Sequence, residues 1–272
     1  MLHADNLVFG YGDTPVVNGV SLRVDRGGLV GLLGPNGSGK TTLLRLLAGT
    51  RRPASGRVTL DGVPVSSLPR AAIARRLSVV PQETHLAFDY TALEVVLMGR
   101  YAHLGAFAIE GPADIAIARA SLAATGAAAF ESRPFSTLSG GEKQRVIIAA
   151  ALAQITPSGD APGSPLLLLD EPTAALDLKY QVGVASLLRS LHRERALTMV
   201  VSTHDLTFAA GLCNTIVMLK EGRVLAAGAS GDVLTAAKIR ELYDVEVEVS
   251  RHPGTGRLVV IPLQGTGTGR IT

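Results

Sequence analysis

Residues 34–42 read Gly34-Pro35-Asn36-Gly37-Ser38-Gly39-Lys40-Thr41-Thr42, and no other stretch constrains the fold as tightly. The spacing is G-x-x-x-x-G-K-[ST], which requires a strand before it and a helix after it. Both are legible: an apolar run, Leu29–Leu33, precedes the loop, and a helical run, Thr41–Ala48, follows. Glycines at 34, 37 and 39 let the backbone turn its N–H groups onto a polyphosphate. The new helix directs the positive end of its dipole at the same anion. Lys40 can reach the terminal phosphates, and the Thr41 hydroxyl suits a magnesium ion. A glycine-rich turn before a helix can be a turn and nothing more; the Lys-Thr pair in this setting favours a nucleotide site.

A chain of 272 residues accommodates one large domain, or a core with an inserted lobe. The net charge of +3 is spread over arginines in ones and twos, such as Arg51-Arg52 and Arg75-Arg76. There is no basic stripe, so nucleic acid is not an expected partner. Cys213 is the only cysteine, which excludes an internal disulfide and suits a reducing cytosol. Its apolar neighbours mark it as a buried small hydrophobe. Met1-Leu2-His3-Ala4-Asp5 lacks the basic start and apolar run of an export signal. The longest apolar stretch, Val146–Ile155, is about half a membrane span and contains Gln154. The chain is expected to be soluble, with any membrane role exercised through a partner.

Short β-branched runs alternate with helical patterns, the texture of an α/β domain. Leu2–Phe9 and Val16–Val24 read as paired strands joined by residues 10–13. Gly49 closes the helix behind the phosphate loop. Arg57–Leu60 before Asp61-Gly62, and Thr215–Leu219 and Arg223–Ala227 around Glu221-Gly222, read as hairpins. Leu77–Val80 is a further strand. From about Glu83 to Phe135 alanine-rich helical stretches take over, notably Ala113–Ala124, and a helix over Gly140–Ala153 returns to the core. Thr156–Pro165 reads as a surface loop. Leu166–Leu169 and Thr198–Ser202 have the unbroken apolar character of strands buried on both faces. A helix around Val233–Tyr243, strands at Glu246–Val249 and Leu258–Ile261, and a frayed end over Gln264–Thr272 complete the reading.

Leu138-Ser139-Gly140-Gly141-Glu142-Lys143-Gln144-Arg145 is the second decisive motif. Ser139 and Glu142 form an S-x-x-E capping box. The two glycines weaken the first helical turn but leave its N–H groups bare. This octet resembles the signature of ABC-type ATPases, and the resemblance extends from Tyr11 through His204 in the expected order. It implies an α/β fold: a P-loop NTPase (RecA-like) core, an N-terminal antiparallel β subdomain and an inserted α-helical subdomain. The implied division is one ABC ATPase domain, with residues 1–82 and 140–230 as core, 83–139 as helical subdomain and 231–272 as C-terminal extension.

The same resemblance implies ATP and Mg2+ as ligands and assigns roles. Tyr11 would stack on adenine, and residues Gly34 to Thr42, with Gln82, would bind the nucleotide. Asp170, at the carboxyl end of a buried strand, would hold magnesium with Thr41 and Gln82. Glu171 would be the general base, His204 the switch histidine at the γ-phosphate, and Lys40 the third catalytic group. Ser139, Gly140, Gly141, Glu142 and Asp177 would contact ATP held by a second subunit, so a homodimer is implied. Ala174 stands where the family commonly has serine, which would tune the coupling of the two sites.

Residues 93–105, with Leu242-Tyr243-Asp244-Val245-Glu246-Val247, resemble the importers of ferric siderophores, haem and cobalamin. The implied partners are integral-membrane permease subunits and, indirectly, a solute-binding protein, with the chain peripheral at the cytoplasmic face of the membrane. A transporter ATPase for another cargo, an exporter half or a soluble ABC ATPase remain alternatives. His85 and His103 stand apart with no Cys or carboxylate cluster, so a metal site there is not expected.

Overall fold

The computed structural model describes residues 1–105, 107–157, 164–174 and 176–263. The frayed end expected at Gln264–Thr272, and residues 158–163 of the expected surface loop, lie outside the described residues. The chain runs through β1 (Leu2–Tyr11), β2 (Thr14–Val24), β3 (Leu29–Leu33), α1 (Lys40–Leu47), β4 (Ser55–Leu60) and β5 (Val63–Pro64). It continues through α2 (Arg70–Ala74), β6 (Leu77–Val80), α3 (Ala92–Met98), α4 (Pro112–Ala124) and α5 (Gly140–Ile155). Next come β7 (Leu166–Asp170), α6 (Leu178–Arg195), β8 (Thr198–Thr203), α7 (Leu206–Leu212), β9 (Thr215–Lys220) and β10 (Arg223–Ala229). The last elements are α8 (Ser230–Val233), α9 (Ala236–Tyr243), β11 (Val247–Arg251) and β12 (Leu258–Pro262).

A six-stranded sheet, ordered β10-β9-β3-β8-β7-β6, forms the centre. Its neighbours are parallel except for β10, which joins β9 through Glu221-Gly222, both at positive φ as a tight hairpin requires. Side chains on each central strand alternate between two hydrophobic cores. Leu29, Leu33, Leu167, Leu169, Met199 and Val201 face one core, shared with α5, α6 and α7. Val30, Leu32, Leu166, Leu168 and Val200 face the other, shared with α1 and the antiparallel sheet β2-β1-β4-β5. Strands loaded on both faces explain the unbroken apolar runs in the sequence. Because β3, β6, β7 and β8 are parallel, the segments that follow them emerge at one edge of the sheet, where open α/β sheets place ligands.

A third apolar cluster joins α3 and α4 to α5 through Val95, Val96, Leu122, Val146 and Ala149. Arg100, fully buried, ties this lobe together: it pairs with Asp114 at 2.9 Å and donates to the Ala153 and Thr156 carbonyls at the end of α5. His103 Nε2 meets the Gln154 carbonyl at 2.7 Å, and His85 lies 3.3 Å from Glu83. Cys213 is buried, and burial pushes its thiol up to about 12. Among the described residues no helix is long and apolar enough to cross a membrane.

The structure adjusts three expectations. β1 and β2 run on to Tyr11 and Thr14, so the turn shrinks to Gly12-Asp13. The helix expected from Val233 starts only at Ala236, where the Thr235 hydroxyl accepts the Lys238 N–H as an N-cap. Helix α6 adds to the expected elements, with Val184, Leu188 and Leu191 forming its buried stripe at i, i+4, i+7 spacing.

Candidate active site

The phosphate loop is packed too tightly for side chains at two of its glycines. A Cβ on Gly34 would lie 2.3 Å from the Leu219 carbonyl oxygen, and one on Gly39 2.6 Å from that of Val16, where φ is +99°. The loop is thus seated on β9 and β2 by backbone contact, and α1 begins directly behind Gly39. Lys40, with 5% of its side chain exposed, donates to the Gly34 and Pro35 carbonyls at 2.8 and 3.1 Å. Its Nζ lies 3.2 Å from Glu171 Oε1. Ser38 Oγ is buried without a hydrogen-bond partner among the described residues. An unpaired hydroxyl is unfavourable in a closed loop, and a phosphate oxygen would satisfy it.

Asp170 ends β7 beside the end of β8, in the register Asp170↔Ser202, and Glu171 follows directly. That pairing builds a small network. Ser202 Oγ donates to Asp170 Oδ1 at 2.7 Å, and it accepts the Glu171 N–H at 3.0 Å. Glu171 takes a positive φ of 46°, which turns its side chain out of the strand direction and toward Lys40. His204 Nδ1 lies 2.9 Å from Glu171 Oε2; a carboxylate can only accept, so Nδ1 carries the proton. Ser202 is the functional residue that sequence reasoning missed. A serine closing an otherwise apolar buried strand was the available signal.

A cleft of about 580 Å³ brings together Lys40, Thr41, Gln82, Glu171 and His204. Asn36, Gly37, Gly39 and Thr42 also line it, as do Thr203, Asp205 and Gln181, which the sequence reading did not place there. Asp170 lies under the cleft floor, 7% exposed. With one of its oxygens held by Ser202, the other is left for a cation or its water. Thr41, Gln82 and Asp170 together make an all-oxygen donor set, which fits magnesium. Tyr11 does not line the cleft; it stands exposed at the end of β1, edge-on to Phe9. Its phenol is lowered from the ordinary value chiefly by a hydrogen bond with Thr42, and then by Arg45.

Ser139 caps α5 and Asp177 stands at the N-cap position of α6 without a side-chain capping bond, both outside the residues that line the cleft. Ser139 Oγ accepts the Glu142 N–H at 3.4 Å, and Glu142 Oε2 accepts the Ser139 N–H at 2.8 Å. That backbone bond leads the causes holding the Glu142 carboxyl below its usual range. The Ser139 side chain also bonds the Glu142 carboxyl and adds to that lowering. Gly140 is exposed, and a Cβ there would meet only Leu176 Cδ2, at 3.3 Å. Gly141 is different: it is buried, and a Cβ would fall 2.1 Å from the Tyr180 ring. Packing of α5 on α6 therefore excludes a side chain at Gly141, while Gly140 is the exposed glycine of the helix tip. Gly141→Ala is expected to destabilise the fold by about 1–3 kcal/mol through overpacking. Urea unfolding should show that loss shrinking in a Tyr180→Leu background.

The family described as ABC transporter matches residues 17–174. The chain is 41% identical over 250 residues to the cobalamin import ATP-binding protein BtuD of Halobacterium salinarum, covering 92% of this chain. It spans 60% of that relative's length. It is 40% identical to the hemin import ATP-binding protein HmuV of Bordetella pertussis, covering 96% of this chain and 98% of the relative. Among solved structures, a chain described as that of a metal-chelate type ABC transporter in an inward-facing conformation superposes with TM-score 0.83 at 29% identity, over 97% of both chains. A bacterial ABC transporter cassette solved as a dimer superposes with TM-score 0.71 at 30% identity, over 85% of this chain and 99% of that one. Matched across more than half its length by the family, and along nearly all of it by such relatives, the chain belongs to the ABC transporter family.

Proposed function

We propose that the protein is the ATP-hydrolysing subunit that energises a membrane importer of a metal chelate, and that it works as a nucleotide-sandwich dimer. The observation that carries the proposal is a division of labour. Lys40, Glu171 and His204 converge on one cleft, while the capped tip of α5 at Ser139 and Gly140 lies outside it and exposed. Residues 1–82 and 140–230 serve as the nucleotide-binding core, 83–139 as the helical subdomain and 231–272 as a C-terminal extension. The printed names of the relatives, cobalamin and hemin import, support a tetrapyrrole or related chelate as cargo. Tyr101 and Ile109, exposed on the helical subdomain, supply an apolar face for permease subunits. The chain then sits at the cytoplasmic face of the membrane through that permease, which a solute-binding protein loads.

In the structure Lys40 is neutralised by Glu171. A triphosphate entering the cleft re-pairs Lys40 with phosphate oxygens and frees Glu171 Oε1 to face a water. Glu171 takes a proton from that water as its oxygen bonds to the γ-phosphorus and the bond to the bridging oxygen breaks, releasing ADP. His204 Nδ1–H steadies the other carboxylate oxygen. Phosphoryl transfer depends mainly on positioning and charge neutralisation, which Lys40 and the two helix tips provide. Magnesium, held by Thr41, Gln82 and Asp170, would neutralise charge on the β- and γ-phosphates when bound. Purified protein is expected to release phosphate from ATP with magnesium and to stop when the metal is chelated. Phosphate release unaffected by chelation, or none under any condition, would contradict the reading.

A further inference from the structure

The C-terminal segment reaches the cleft. Helix α9 is anchored by Ile239 and Leu242, both buried in the core beneath the central sheet. Lys220, at the end of β9, donates to the Glu241 carbonyl and pins the last turn. These contacts deliver Tyr243, whose ring packs partly buried on the same core and whose hydroxyl donates to the His204 carbonyl at 3.1 Å.

His204 needs such a tether. Its side chain is 52% exposed, so packing does not fix it, and the contact found for its ring is the 2.9 Å bond to Glu171. Glu171 Oε1 exchanges Lys40 for a water when a nucleotide enters, and the bond to Oε2 is then held by a carboxylate that has lost its other anchor. The residue stands one position ahead of Asp205, the N-cap of α7. Its carbonyl therefore precedes the helical ladder and needs a partner from elsewhere. We propose that Tyr243 is a positioning residue for ATP cleavage, holding the His204 backbone so that the imidazole stays aimed into the cleft while Glu171 changes partners. The C-terminal extension is thereby part of the catalytic apparatus. Burial, then the charges of Asp205 and Glu171, push the Tyr243 phenol well above its ordinary value, so it keeps the proton it donates. The inference rests on the ATPase reading of the same cleft.

Tyr243→Phe removes the hydroxyl and keeps the ring. The variant of the whole 272-residue chain is expected to lose about 3- to 10-fold in kcat, with KM for ATP within about twofold and the melting temperature nearly unchanged. In a His204→Ala background, followed by single-turnover phosphate release, the same change should cost nothing further, because the ring it aims is gone. Unchanged kcat in Tyr243→Phe would overturn the inference. An equal loss in both backgrounds would also overturn it, since that marks a general structural effect. Both results leave the ATPase reading standing, which fails separately if the unaltered chain does not cleave ATP.

Discussion

Glu171→Gln is expected to slow ATP turnover by at least about 100-fold while ATP binding persists. The carboxylate is 10% exposed, between Lys40 Nζ at 3.2 Å and His204 Nδ1 at 2.9 Å. A glutamine amide fits the same space but cannot take a proton from water. It also removes a negative charge that a γ-phosphate would otherwise face, so ATP should be held at least as well. Glu171 occupies a positive φ, and its N–H is bonded to Ser202, so the backbone holds whichever side chain is present. The measurement is phosphate release alongside retention of labelled ATP. Turnover within about threefold of wild type would remove Glu171 from its role as base.

Gly140→Leu is expected to cut turnover by about 100-fold or more with the fold intact. An added Cβ meets only Leu176 Cδ2, at 3.3 Å, and leucine is a better helix former than glycine by up to about 1 kcal/mol. Melting temperature should therefore hold or rise. On the proposed sandwich, the loss comes from bulk placed over a helix tip whose bare N–H groups would approach a phosphate. The contrast with Gly141→Ala is diagnostic, because that change strikes Tyr180 and acts on stability. A Gly140→Leu protein with normal turnover would detach α5 from the reaction.

Much of this was readable from residues because the constraints are local. The phosphate loop, the apolar runs of β7 and β8 and the Asp61-Gly62 and Glu221-Gly222 turns each carry their conformation in a few adjacent positions. The serine that closes β8 is a local signal, but its pairing with Asp170 is long-range and fixed by the β7–β8 register. The resemblance gives Gly141 a role beside Gly140 as bare backbone; that a side chain there would also strike the Tyr180 ring, 39 residues on from position 141 to 180, is visible only in the fold. Helix α6 went unplaced since its mean character is polar and only Val184, Leu188 and Leu191 are buried. The Tyr243 contact joins a tail motif to a cleft formed by other segments, so only the folded chain displays it.

Light scattering of Glu171→Gln with and without ATP and magnesium tests the two-chain site most directly. Nucleotide should double the molar mass, from one chain to a pair, and adding Gly140→Leu should prevent the doubling. A protein that stays a single chain under saturating ATP, while the unaltered form hydrolyses ATP at full rate as a monomer, would contradict a cleft completed by its neighbour.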